Sequence, residues 1–353
     1  MGYHHQHRHA QQQHGSNSKG QTQRRKNKNE QHGTRKSCEE LFMQAEIALM
    51  SEDLAQAEAL YKECVLREPE NVEFLDGYGS FLAEFANDRK DEAIKVLQKA
   101  CDLAPMTGFE KFMYLGQVLD ACGRTEEAEA AMRQGVGILR NMDDENSEEY
   151  LTSALCSLAE LLMGLIHDAL DEAEDDSEEE VSRLYIEVES LLHEAGSGTS
   201  KNPEPLQALC SLRVIQGREE EALGLLKESL QLWWDDDDND EEEEDEDGNG
   251  DEKKGERMLP SYEFRFETAK LLLELDDSTA TAADILEGLL EENDAVPDVW
   301  LLLAVAYKAG GELESAAEAA TQGAKIARLQ GYSEQDNEVV YALEELEKEL
   351  TSK

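Results

Sequence analysis

Apolar residues return every three or four positions from residue 38 onward, in short blocks separated by turn residues. That period belongs to amphipathic helices. Between 38 and 71 the stripe runs Leu41, Ala45, Ala48, then Ala57, Tyr61, Cys64 and Pro69. The next block has Leu75, Tyr78, Gly79, Leu82, then Ala93, Leu97, Ala100, Pro105, and a third has Phe112, Leu115, Gly116, Leu119, then Ala128, Met132, Gly135. Residues 203–232 carry Leu206, Leu209, Cys210, Ala222, Leu226 and Ser229, and residues 263–294 carry Phe266, Ala269, Leu273, Ala282, Leu286 and Leu289. The clearest block runs Trp300, Leu303, Ala304, Tyr307, Ala316, Ala320, Gly323. Each block reads as two antiparallel helices. Small residues let the pair approach closely, and large ones fill the groove to the next pair. Glycines at 123, 217 and 310–311 fall where a helix must stop.

Residues 147–202 depart from this spacing. Their periodicity predicts helices over 147–173 (Leu151, Leu155, Leu158, Leu162, Leu165) and 178–195 (Val181, Leu184, Val188, Leu191), one enlarged and divergent repeat. Residues 334–351, with Val339, Tyr341, Leu343, Leu346 and Leu350, read as a terminal capping helix with charges on its outer face.

A unit of about 34 residues built as large, large–small, aromatic, then Ala, aromatic or Leu, Ala and Pro resembles the tetratricopeptide-repeat (TPR) family. The resemblance covers residues 38–353. It implies an all-α solenoid, a right-handed superhelix of about seven helix–turn–helix repeats plus a C-terminal capping helix.

Charge sharpens the picture. The chain has 353 residues and a formal net charge of -48. Residues 1–37 run the other way, with eight Lys or Arg against Glu30 alone. That His- and Gln-rich tail has no apolar pattern and reads as disordered. Its Arg24-Arg25-Lys26-Asn27-Lys28 run reads equally as a nuclear-import signal or as a basic solvated tail. No apolar segment follows it as a signal peptide requires, and no stretch is expected to span a membrane. Six scattered cysteines form no CxxC pair, which predicts reduced thiols and a place in the cytoplasm and nucleus. Neither a phosphate-binding loop nor a nucleophile elbow, zinc-protease motif or dinucleotide fingerprint occurs, so no enzyme, cofactor or metal site is expected. The tail histidines offer no closed ligand geometry.

The resemblance implies that the first helix of each repeat lines a concave, ligand-holding surface. The inward positions then fall on Glu39, Glu46, Glu73, Asp76, Glu84, Glu110, Asp120, Glu204, Glu267, Glu274 and Asp298, with Phe42, Met50 and Met113 as apolar contacts among them. A one-signed concave surface focuses potential and captures the opposite charge. The alternative, that these acids are solvated faces serving solubility, stays open. Inward Phe42, Glu46, Asp76 and Ser80 argue against clamping a C-terminal carboxylate, as some TPR co-chaperones do.

A second acidic element stands between repeats. Asp235, Asp236, Asp237, Asp238, Asp240, Glu241, Glu242, Glu243, Glu244, Asp245, Glu246 and Asp247 make 12 acids in 13 positions, followed by a Gly-rich run. A disordered insertion over 235–256 is expected, either a solvated spacer or a polyanionic shield. Trp233 and Trp234 precede it and are expected to close a helix and pack on the next repeat.

An acidic array with an acidic loop and a basic tail is similar to the dedicated assembly chaperones of eukaryotic large-subunit ribosomal protein L-four. That resemblance implies a ribosome-biogenesis role: shielding a basic ribosomal protein and escorting it to nuclear assembly of the large subunit. A histone chaperone and a scaffold subunit of a larger complex are the alternatives. The expected partner is a basic protein, bound by a monomer whose repeat body contacts neither nucleic acid nor membrane.

Overall fold

A computed structural model describes residues 36–144, 146–171, 177–198, 201–234, 259–275, 278–332 and 337–351. Among the described residues the chain forms fifteen α-helices, one 3-10 turn and no strand. They fall into two compact units, one ending at Met142 and one beginning at Asp143.

The first unit holds three antiparallel pairs: α1 (Cys38–Met50) with α2 (Leu54–Arg67), α3 (Val72–Phe85) with α4 (Lys90–Leu103), and α5 (Glu110–Asp120) with α6 (Thr125–Leu139). The expected small residues sit where the helices cross: Ala57, Ala93 and Ala128 have no exposed surface. Gly79 shows why size matters there. A Cβ at that position would stand 2.5 Å from Leu97 Cδ2, itself fully buried. Ser37 starts α1 with a reciprocal cap, its hydroxyl accepting from Glu40 N (3.2 Å) and its amide donating to Glu40 Oε2 (3.0 Å). Gly123 ends α5 at φ 71°, a backbone conformation that glycine enters without steric cost.

The second unit begins with α7 (Ser147–Asp171) and α8 (Ser177–Ala195), then pairs α9 (Glu204–Ile215) with α10 (Glu219–Leu230), α11 (Tyr262–Glu274) with α12 (Thr279–Glu292), and α13 (Pro297–Gly310) with α14 (Leu313–Leu329). The last helix, α15 (Glu338–Thr351), packs on α13 and α14. Seven helix pairs and a closing helix match the expected architecture. Ala222, Ala282 and Ala316 repeat the buried crossing residue.

Three details differ from the sequence reading. At 25 residues, α7 is long and apolar enough to cross a membrane by length and composition, which the hydropathy reading did not anticipate. More than half of its apolar window is buried inside the protein, where it packs on α8 and α9. In α11 the deepest aromatic is Phe264, at 2% exposure, rather than Phe266. In α15 the inward stripe is Val340, Leu343 and Leu346, and Tyr341 faces outward.

Buried polar groups tie the second unit together. Gln207 on α9 donates to Phe264 O (2.9 Å) and Thr268 Oγ1 (2.6 Å) on α11. Arg265 makes a two-pronged pair with Glu292 on α12 (2.7 and 2.8 Å), and its Nε donates to Pro260 O (3.1 Å). Trp233 packs as expected, edge-on to Trp234 and to Phe264 with ring centroids 5.7 and 5.9 Å away. The twelve acids of 235–247 and the basic tail up to residue 35 lie outside the described residues.

Candidate functional site

Within the first unit the expected inward residues divide into three groups. Glu39, Glu73 and Asp120 are exposed. Glu39 is held below the usual carboxylate range by its own backbone amide and the Ser37 hydroxyl, so it stays ionised. Glu46, Asp76, Glu84 and Glu110 are half-buried. Phe42 and Met113 are core residues, and their expected role as contacts for a bound partner is corrected. Phe42 is 7% exposed and packs its ring on Tyr61 and Phe74, with centroids 5.5 and 5.2 Å apart. Met113 has no exposed surface and lies against Gly135. Apolar side chains on a first helix are drawn to the neighbouring helices, because burial there is worth more than exposure on the inner face.

The half-buried acids are held by specific donors. Tyr61 on α2 donates its hydroxyl to Glu46 Oε1 at 2.6 Å, and Tyr114 on α5 donates to Glu84 on α3. Both phenols are buried, at 0% and 4% exposure. A hydroxyl donated to a carboxylate fixes it without neutralising it. Asp76 and Glu110 meet around Gly108, in the loop before α5, where Lys111 is also found. A Cβ at Gly108 would stand 2.9 Å from Lys111 Nζ, 3.9 Å from Glu110 Oε2 and 4.0 Å from Asp76 Oδ2. Lys111 is 1% exposed, donates to the carbonyls of Thr107 and Gly108, and lies 5.1 Å from the Phe112 ring centre. This corner is partly neutralised, which the repeat register alone did not reveal.

In the second unit, Glu267, Glu274 and Asp298 are exposed, and Glu267 pairs with Lys270 at 3.1 Å. Glu204 opens α9 half-buried, and its Oε2 has no hydrogen-bond partner. Burial raises its carboxyl above the ordinary value. Sequence reasoning missed its neighbour Glu160 on α7. That residue reaches solvent, but the positions on either side are buried. Desolvation by the buried positions around it, reinforced by the charges of Glu204 and then Glu267, pushes its carboxyl up to about 7. A signal existed: Glu160 is the one charged residue between Tyr150 and Ile166. It was hidden because the segment follows no repeat register.

This arrangement sets a pH dependence. A carboxyl raised above its unfolded value of 4.5 favours folding fully below that pH. Its contribution is lost as pH rises through about 7. Glu92, Glu189 and Glu292 are shifted the other way, Glu92 against the upward pull of its burial. Tyr78 and Arg89 hold Glu92, Arg213 holds Glu189, and Arg265 holds Glu292. Their stabilisation is lost only on acidification below the ordinary carboxylate range. Calorimetry between about pH 5 and pH 8 should therefore show a melting temperature that falls with pH, and falls less in Glu160→Gln. Equal slopes in the two proteins would remove Glu160 as the cause.

Many arginines are paired with carboxylates of the chain itself, and the excess of acids over bases leaves the protein negative all the same. Arg89 pairs with Glu58 (2.5 Å) and Glu92 (3.0 Å), Arg124 with Glu127 (2.7 Å), and Arg133 with Glu129 (2.7 Å). Arg213 pairs with Glu189, Arg218 with Glu221 (2.5 Å), and Arg328 with Glu344 (2.7 Å). Among the described residues no group of His, Cys, Asp and Glu is arranged to hold a metal ion.

Successive helix pairs, six of the seven with a buried alanine at the crossing, define the tetratricopeptide-repeat fold, and a tetratricopeptide-repeat model matches residues 42–105. Two relatives are more particular. A probable assembly chaperone of rpl4 from Schizosaccharomyces pombe is 26% identical over 263 residues, covering 72% of this chain and 69% of the relative. A protein of the same description from Emericella nidulans is 26% identical over 195 residues, covering 55% of this chain and 42% of that relative. Among solved structures, the assembly chaperone of RpL4 (Acl4, residues 1–338) aligns over 80% of this chain and 99% of its own, with 23% identity and a TM-score of 0.51. A tetratricopeptide-repeat protein from Parabacteroides merdae reaches a TM-score of 0.53 at 16% identity, over 90% of this chain and 99% of its own. The structural likenesses establish the fold.

Proposed function

We propose that this protein is a chaperone for a basic ribosomal protein of the large subunit, with the L4 protein as its client. It would hold a basic segment of that client on the acidic faces of its first helices and carry it to nuclear assembly of the subunit. The observation that supports this reading is the match to two proteins described as probable assembly chaperones of rpl4, one of them aligned over 72% of this chain. The excess of acids over bases supplies a physical reason. A client whose Lys and Arg would bind RNA indiscriminately is kept soluble by carboxylates standing in for phosphate. Exposed ion pairs contribute only about 0–1 kcal/mol each, so affinity comes from many of them acting together.

Titration of the full chain with purified L4 protein tests this. Binding is expected to weaken steeply with salt. Replacing Glu73, Asp120, Glu267, Glu274 and Asp298 together by glutamine should weaken it by about tenfold or more at low salt. Unchanged affinity would sink the acidic faces as the binding surface. Equal affinity for core histones, or none for L4, would sink the client.

A further inference from the structure

We propose that the open side of α1, the side that in α3 and α5 is covered by neighbouring helices, is a docking surface for an amphipathic helix of a partner protein, one carrying Lys or Arg beside its apolar stripe. This goes beyond the acidic faces proposed above and shares only Glu39 with them.

The repeat register identifies the surface. Leu41 and Ala45 in α1, Leu75 and Gly79 in α3, and Phe112 and Gly116 in α5 occupy the same places, all buried. Two residues further on stand Met43 and Ile47, Gly77 and Phe81, and Tyr114 and Val118. In α3 these places receive the preceding pair. A Cβ on Gly77 would stand 2.6 Å from Phe42 Cε2, and the rings of Phe81 and Tyr61 are 5.7 Å apart. In α5 they are closed too, with Tyr114 at 4% exposure and Val118 at 6%. In α1 the same places are open. Met43 is 65% exposed and Ile47 57%, and Met50, one turn on, is 78% exposed. The spacing of Met43, Ile47 and Met50 is that of a helix-in-groove contact, and methionine adapts readily to a partner's shape.

Charge decides the occupant. Glu39 and Glu40 stand at the start of the stripe, Glu52 and Asp53 at its end, all exposed. The cation Lys36 at the near end is engaged, with its Nζ 2.5 Å from Gln44 Oε1. A second copy would bring the same acids against these, in a chain of net charge -48. The preceding residues 1–35 offer only Met1, Tyr3 and Ala10 as hydrophobic side chains, too few to form a stripe. A foreign helix with an apolar face and basic flanks satisfies both features.

The test uses the full chain and a Leu/Lys peptide of about four helical turns, leucines on one face, with a benzophenone at a central leucine site. A Lys/Gln peptide of equal charge is the control. The Leu/Lys peptide should cross-link to α1. Met43→Gln with Ile47→Gln should weaken it by about tenfold, as expected for two lost apolar contacts. The Lys/Gln peptide should bind both proteins alike. Both residues are exposed, so folding should survive, and circular dichroism checks this. No binding of the Leu/Lys peptide, equal binding to both proteins, or cross-links elsewhere would overturn the proposal. So would self-association in the ultracentrifuge that the double variant abolishes. Failure of the Lys/Gln peptide to bind would instead count against the acidic faces.

Discussion

Replacing Tyr61 by alanine is expected to cost the first unit about 3–5 kcal/mol, the loss typical of deleting a fully buried aromatic ring. Tyr61 has no exposed surface and joins two helix pairs. Its ring meets Phe42 of its own pair edge-on and Phe81 of the next pair at 5.7 Å. In a repeat array much of the stability lies in such neighbour contacts, so removing one uncouples pairs that are marginal alone. The measurement is hydrogen exchange followed by mass spectrometry, with α1 to α4 losing protection. All three tryptophans, Trp233, Trp234 and Trp300, lie in the second unit, so their fluorescence melting should move much less. Tyr61→Phe keeps the ring and removes the bond to Glu46, at a cost of about 1 kcal/mol. Comparable losses in the two variants would mean that the hydroxyl, and not the ring, holds the pairs together.

Lys111→Met should cost about 3 kcal/mol, although it preserves most of the side-chain volume. A buried ammonium survives only if its charge is met, and here two backbone carbonyls and the nearby Asp76 and Glu110 surround it. Methionine would leave those carbonyls without their donor and the acids without their cation. Urea unfolding followed by circular dichroism reads the midpoint of the first unit. A neutral result would show that water replaces the ammonium, and that Asp76 and Glu110 belong to the open acidic face after all.

Much of the architecture was legible because helix pairs advertise themselves locally. A small residue lets two helices of a repeat approach closely, and Ala57, Ala93, Ala128, Ala222, Ala282 and Ala316 mark six of the seven crossings in the chain itself. The divergent helices α7 and α8 were legible too, from Leu155, Leu158, Leu162, Val181, Leu184 and Val188, all buried. The candidate face was less so. A repeat register tells which way a side chain starts from its helix, not what it meets. Phe42 and Met113 start inward and end in the core. Asp76 starts inward and ends beside a buried lysine that is 35 positions away in the chain.

The sequence alone determined the all-α repeat architecture, the opposition between basic tail and acidic body, and the list of acids on the first helices. These follow from spacing and composition, which are properties of the chain read along its length. The tertiary structure decided which of those acids are exposed, which are held by Tyr61 or Tyr114, which lie near the buried Lys111, and that Glu160 joins Glu204 and Glu267. It also decided that Met43 and Ile47 lie open when their counterparts are covered. Burial and electrostatic coupling depend on distances across helices, and packing creates those distances.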